Sequence, residues 1–199
     1  MTLAPRPLLR AFPLEGGVFI AVVGQSGVGK DSVIDYARAV LGQDDRFHFA
    51  RRAITRPRDG LHEDHDPVDA KSFDAEAARG AFALHWSAHG QCYGIPVVAD
   101  DHVERGAVVV ANLSRTVLPS LAARYRRHMV AEIVAEADVI ARRLEGRRRE
   151  AADQLAGRLS RMVAVERRDN HRVIDNSGDL AAAGAAFVSM LIDQTRPRN

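Results

Sequence analysis

Val18-Phe19-Ile20-Ala21-Val22-Val23-Gly24-Gln25-Ser26-Gly27-Val28-Gly29-Lys30 is the stretch whose reading decides the fold. Six consecutive apolar residues ending at a glycine predict a strand buried on both faces, as in a parallel sheet. Gly24, Gly27 and Gly29 then let the backbone take conformations closed to other residues and turn its N–H groups toward an anion. Beyond Lys30, Val33, Ile34, Ala37, Val40 and Leu41 recur at helical spacing, and Gly42 is a candidate stop. A helix starting here aims its positive end at the same turn. Strand, glycine turn and helix match the G-x-x-x-x-G-K phosphate loop, whose lysine reaches the β- and γ-phosphates of ATP. The candidate ATP-binding set is therefore Gly24, Gln25, Ser26, Gly27, Val28, Gly29, Lys30, Asp31 and Ser32.

One position departs from that pattern. Asp31 follows the lysine where a Ser or Thr hydroxyl would meet Mg²⁺, and Ser32 is turned about 100° away on the helix. A carboxylate is a good hard ligand, so Asp31 is the candidate metal residue, with Mg²⁺ the expected ion. The second buried strand, around residues 107–111, ends in Asn112 and not in the usual metal-binding aspartate.

Further strands are expected at 129–134 and 173–174. Helices are expected at 117–127 (with Pro119 in the first turn), 137–144, 151–167 and 179–192. Strands alternating with helices give an α/β fold of the P-loop NTPase kind, three layers around a mostly parallel five-stranded sheet. Residues 50–97, rich in Arg, His, Asp and Gly, interrupt the alternation and read as an inserted substrate-side subdomain. The arginine-rich stretch at about 142–158 reads as a lid. The expected division is an extension over 1–16, a core over 17–49 and 98–199, the insert and the lid.

The composition, 46% apolar and 27% charged with a net charge of +2, suits a globular protein and demands no nucleic-acid partner. No run is long enough for a membrane span. Residues 1–16 lack the continuous apolar stretch of a signal peptide, and the one cysteine, Cys92, fits a reducing cytoplasm. Homodimerisation is left open. All but two of the 28 basic residues are arginines, so Lys30 stands out as a site wanting a compact ammonium.

The arginines bear on the acceptor. A hydroxyl acceptor usually wants a carboxylate base, whereas a phosphate acceptor is already ionised and needs only cations to bring two anions together. Arg56 and Arg58 in the insert, and Arg142, Arg143, Arg147, Arg148, Arg149 and Arg158 in the lid, suit the second case. A hydroxyl-directed sugar kinase would have Asp31 or Asp64 as base. A scaffold without activity would have no need of the intact loop. His62, Glu63, Asp64 and His65 are adjacent in one loop and make a poor zinc set.

The chain resembles guanylate-kinase-like enzymes from residue 17 onward. Thr55-Arg56-Pro57-Arg58-Asp59-Gly60 is similar to their acceptor-phosphate motif. Phe82 and Gly90-Gln91-Cys92-Tyr93-Gly94-Ile95-Pro96 resemble the end of their monophosphate subdomain. Arg142-Arg143-Leu144-Glu145-Gly146-Arg147 resembles their lid, and Asp175-Asn176-Ser177-Gly178 the segment near adenine, which adds Asn176 to the ATP set. Their guanine-reading carboxylates are missing: Leu84 stands at one position and the strand end at Asn112 carries no acid at the other. Guanine is thereby disfavoured. Gly29-Lys30-Asp31-Ser32, Ile54-Thr55-Arg56-Pro57, Glu63-Asp64-His65 and Phe82-Ala83-Leu84-His85-Trp86 resemble in particular the ribose 1,5-bisphosphate phosphokinases of phosphonate catabolism. That resemblance implies a sugar phosphate acceptor and 5-phosphoribosyl 1-diphosphate as product. Arg56, Arg58, Glu63, Asp64, His65 and Tyr93 would hold the substrate, and Lys30, Arg143, Arg147 and Arg158 would act on the transferring group. A nucleoside monophosphate kinase is the alternative.

Overall fold

The computed structural model describes residues 13–57, 65–148 and 169–196. From its start, β1 (Val18–Val23) leads into α1 (Lys30–Leu41) and β2 (Phe47–Phe49). An insertion follows, made of β3 (Ala53–Ile54), β4 (Asp66–Pro67), α2 (Ala70–Ala78), β5 (Phe82–Ala88) and β6 (Gln91–Pro96). The remaining elements are α3 (Val98–Glu104), β7 (Val108–Asn112), α4 (Leu118–Arg124), β8 (His128–Val134), α5 (Ala137–Arg148), β9 (His171–Asp175) and α6 (Leu180–Asp193).

Five strands pair in the order β2-β7-β1-β8-β9, every pairing parallel. β1 is central and all six of its residues are buried, as its unbroken apolar run requires. Alternate residues feed two cores. Val18, Ile20 and Val22 face Val33, Ile34 and Leu41 of α1 and Phe187 and Leu191 of α6. Phe19, Ala21 and Val23 face Ala99 and Val103 of α3 and Leu121 of α4. The result is the three-layer α/β fold. Each fully buried Val, Ile, Leu or Phe contributes about 1.5–3 kcal/mol, so the two faces together hold the phosphate loop on a rigid base.

Several boundaries differ from the sequence reading, each for a visible reason. β2 is an edge strand of three residues, too short for its alternation to register as a periodic signal. The helix expected at 117–127 stops at Arg124, because Tyr125 turns extended and drives its ring into the core, 4.6 Å from Phe19. Ser114 opens the preceding 3₁₀ turn by accepting from the backbone N–H of Thr116. α5 runs on to Arg148 through Gly146 instead of ending at Leu144; one glycine costs a helix about 1 kcal/mol and does not break it. The helix expected at 151–167 lies outside the described residues. Leu14, expected in the N-terminal extension, is buried and bridged to Tyr125, so the packed body of the domain starts before Gly17.

The insertion forms its own sheet in the order β4-β3-β6-β5. Phe73 of α2 stacks on Phe82 of β5 at 4.6 Å, giving it a small core. Leu84 of β5 and Ile95 of β6, however, are buried in the second core with Ala99, Val103 and Val109. Across this joint the insert meets the main domain.

Candidate active site

The phosphate loop leaves β1 at Gly24 and enters α1 at Lys30, with Gly27 and Gly29 both left-handed at φ 87° and 88°. Its close surroundings explain why glycine is needed at two of these places. A Cβ at Gly27 would lie 3.0 Å from Leu144 Cγ, and one at Gly29 would lie 2.4 Å from Asn176 Nδ2. Both neighbours are part of the loop's support. Asn176, buried, donates from Nδ2 to Val28 O at 2.7 Å, and Arg143 donates from Nη1 to the same carbonyl at 3.2 Å. Lys30 donates from Nζ to Gly24 O and Gln25 O, both at 3.0 Å, so its ammonium arches over the turn. The backbone N–H groups, one ammonium and the positive end of α1 thus converge where an anion would sit.

Asp31 opens α1 beside the loop. Asn112, at the end of β7, donates from Nδ2 to Asp31 Oδ1 at 2.7 Å. The sequence shows a missing acid at Asn112; the structure shows what stands there instead, an amide that orients the carboxylate of the first turn of α1. Among the described residues no cluster of three or more His, Cys, Asp or Glu is arranged to hold a metal by itself. Asp31 would share a metal with phosphate oxygens and water, as Mg²⁺ prefers.

On the insertion, Arg56 follows β3. Its Nε is buried and meets no hydrogen-bond acceptor among the described residues. His65 is also buried, with Nε2 2.9 Å from Arg56 O, a contact that ties its ring to the backbone of Arg56. Thr55 accepts from Cys92 N at 2.8 Å and pins β3 to β6. Tyr93 stacks on Trp86 with ring centroids 5.3 Å apart and planes within 8°. The Arg52 guanidinium lies 5.3 Å above the Tyr93 ring. Burial pushes Arg52 down to about 10, with Arg56 adding repulsion against the attraction of Asp31 and Tyr93. Arg52, Asp31 and Asn112 line one cleft between α1 and the end of β7, with Asp35, Arg38 and Ala50.

Of the residues named from the sequence, the structure gathers Gly24 to Lys30, Asp31, Arg143 and Asn176 at one loop. Arg56, His65 and Tyr93 lie on the inserted sheet or next to it. Ser32 is exposed on α1. Arg58, Glu63, Asp64 and Arg158 lie outside the described residues, as does the side chain of Arg147. Arg142 pairs with Asp138 on the outer face of α5, away from the loop.

No protein-family model matches the chain. Named relatives do. The ribose 1,5-bisphosphate phosphokinase PhnN of Brucella melitensis biotype 2 is 47% identical over 176 residues, covering 88% of this chain and 92% of that one. The chain belongs to the ribose 1,5-bisphosphate phosphokinase family. The PhnN enzyme of Pseudofrankia inefficax is 45% identical over 177 residues, covering 89% and 92% of the two chains. A bifunctional ribose 1,5-bisphosphokinase-thymidine phosphorylase of Azorhizobium caulinodans matches at 42% over 92% of this chain and 26% of its own length. Among solved structures, guanylate kinase from Anaplasma phagocytophilum superposes with a TM-score of 0.64 at 18% identity, covering 92% of this chain and 89% of that one. That likeness concerns the fold.

Membership of this phosphokinase family directs attention to Leu84. Its side chain is buried in the core, 4% exposed, with Ile95 and Ala99 beside it. A residue so placed anchors the insert and offers nothing to a purine edge. Two features of the site escaped sequence reading. Arg52 is one arginine among 26 and sits in no motif, and the Asn112–Asp31 contact spans 81 positions. For Asn112 a signal existed, a polar residue closing a run of five apolar ones before a turn; for Arg52 there was none.

Proposed function

We propose that the protein transfers the γ-phosphoryl group of ATP to the 1-phosphate of ribose 1,5-bisphosphate, giving 5-phosphoribosyl 1-diphosphate and ADP. One observation supports the reading above others: Lys30 arches over an intact phosphate loop, while Leu84 is committed to the core and reads no base. An oxygen of the 1-phosphate bonds to the γ-phosphorus as the bond to the β-bridging oxygen breaks. The acceptor oxygen is already ionised, so no proton has to be removed and no base is required.

The chain's residues supply position and charge. Lys30 swings from the loop carbonyls to the β- and γ-phosphate oxygens. Arg143, on Val28 O, stands close enough to the turn to meet charge on the transferring group. We assign Arg56, with Arg58 beside it in sequence, to the acceptor phosphate, Glu63, Asp64 and Tyr93 to the sugar, and Arg147 and Arg158 to the transferring phosphates. Asp31, oriented by Asn112, would hold Mg²⁺, which would supply charge neutralisation to the phosphates. No described helix is long and apolar enough to cross a membrane, and we place the reaction with the ATP pool of the cytoplasm.

The test is ADP release with ribose 1,5-bisphosphate and with GMP as acceptors, with the product identified by its phosphorus spectrum. Faster turnover of the bisphosphate and a diphosphate resonance are expected; faster turnover of GMP would reverse the reading.

A further inference from the structure

Trp86 is the chain's one tryptophan, and the reaction described above gives it no part. Leu84 and Trp86 stand two apart on β5 and share a face of the strand, yet they are placed differently. Leu84 is buried in the second core, whereas Trp86 packs against the edge of that core and stays half-buried. Its indole lies on Tyr93, its direct partner across β5 and β6, with planes within 8° and ring centroids 5.3 Å apart.

The stacked pair sits beside the segment that carries Arg56. Tyr93 is in register with Ile54, and Cys92 N donates to Thr55 Oγ1 at 2.8 Å, so β6 runs alongside Ile54-Thr55-Arg56. Through Arg52, which lies over the Tyr93 ring, the pair also adjoins the cleft at the start of α1. An exposed aromatic face in such a place is what a nucleobase needs, because any base can stack on it without hydrogen bonds. An indole is a fused five- and six-membered ring, close to a purine in size and shape. Here the chain lays its own fused ring on Tyr93, and a stack of this kind is favourable in itself. An incoming base would have to displace a ring that it can only equal.

We propose that Trp86 is a specificity-determining residue: its indole fills the place on Tyr93 that the base of a nucleoside monophosphate would need, and leaves room for a sugar phosphate. The inference deepens the reading of the acceptor as ribose 1,5-bisphosphate and rests on it. Rejection of nucleotides then has a steric cause, a ring in the way, in addition to the missing hydrogen bonds at Leu84.

Steady-state kinetics with ribose 1,5-bisphosphate and GMP as acceptors test this. In Trp86→Ala the ratio of kcat/KM for GMP to kcat/KM for the bisphosphate is expected to rise about 10- to 100-fold over wild type, because the vacated face of Tyr93 can stack the base. Trp86→Val keeps a β-branched apolar residue on the strand while removing the fused ring, and the ratio should rise there too. A Trp86 that only supports the fold would lower both acceptors alike and leave the ratio at its wild-type value. That result, in whichever of the two variants melts closer to wild type, would overturn the proposal. A wild-type enzyme that ignores the bisphosphate or prefers GMP is a different result, and it would remove the functional reading itself.

Discussion

Asn176 donates to the carbonyl of Val28 at 2.7 Å, joining the start of the C-terminal helical segment to the phosphate loop 148 positions earlier. The same amide nitrogen would lie 2.4 Å from a Cβ at Gly29. The loop is therefore clamped from outside as well as shaped from within. Asn176→Ala should raise the KM for ATP about tenfold and lower stability by about 0.5–1.5 kcal/mol, since Val28 O loses its shorter hydrogen bond and keeps only that from Arg143. Gly29→Ala should abolish ATP binding, because it combines a φ of 88° with that collision. Titration of each variant with a fluorescent ATP analogue, beside urea melts, checks both.

Lys30 and Arg143 should separate in kinetics. Lys30→Ala removes the ammonium over the turn and is expected to cut kcat about 100-fold or more with little change in melting temperature. Arg143→Ala loses both a cation and a tie to Val28 O, so kcat should fall and ATP affinity with it. Steady-state constants for the two variants, each compared with wild type, decide the matter.

Far from the phosphates, Asp100 is a stability element. It is fully buried and accepts from Tyr125 Oη at 2.8 Å and from Arg124 Nη2 and Nε at 2.6 and 3.1 Å. Burial, followed by the negative charge of Asp100, holds the Tyr125 hydroxyl well above the ordinary phenol range. Asp100→Ala strands a guanidinium and a phenol, for an expected cost of about 3–5 kcal/mol in chemical denaturation. The KM for ATP of the folded fraction should not move.

The edge strand brings a pH dependence. His48 of β2 stacks on His102 of α3 at 3.7 Å, and burial, then repulsion from His102, pushes His48 down to about 4 from 6.5. The folded protein thus binds this proton less readily than the unfolded chain. The stability His48 supports is complete above pH 6.5 and is lost as pH falls toward 4. After discounting for its partial exposure, the loss is about 1–2 kcal/mol. His48→Phe should flatten that part of the profile between pH 7 and 4.5; a slope equal to wild type would count against it.

Leu84→Glu, which restores an acid where guanylate kinases carry one, should not create a GMP kinase. The carboxylate would enter the core beside Ile95 and Ala99, at a cost of about 3 kcal/mol or more. Measurable GMP turnover by this variant would show that the side chain can reach the cleft.

Much of this molecule is legible in its residues because some elements announce themselves locally. β1, the glycine turn and α1 carry an unbroken apolar run, a spacing of glycines and a helical period within 24 residues, Val18 to Leu41. Asp179 opens α6 as an N-cap, accepting from the N–H of Ala181. What stayed hidden depends on distant partners. β2 exists because β7 is there to pair with it, and Asp31 is oriented by an amide from another strand. His65 reads in the sequence as one of a loop of polar residues, and its burial with Nε2 2.9 Å from the Arg56 carbonyl depends on a chain segment nine positions away. Arg52 gains its meaning from Tyr93, across a sheet whose pairing no local pattern discloses.

The joint made by Leu84 and Ile95 with Ala99 and Val109 has a further consequence for how the molecule comes apart. A flap hung on loops could melt by itself and leave the catalytic half standing. Here the inserted sheet shares interior side chains with the parallel sheet, so losing one exposes the other. Both should unfold in a single cooperative transition, and amides of β5 and β6 should exchange with solvent no faster than those of β1.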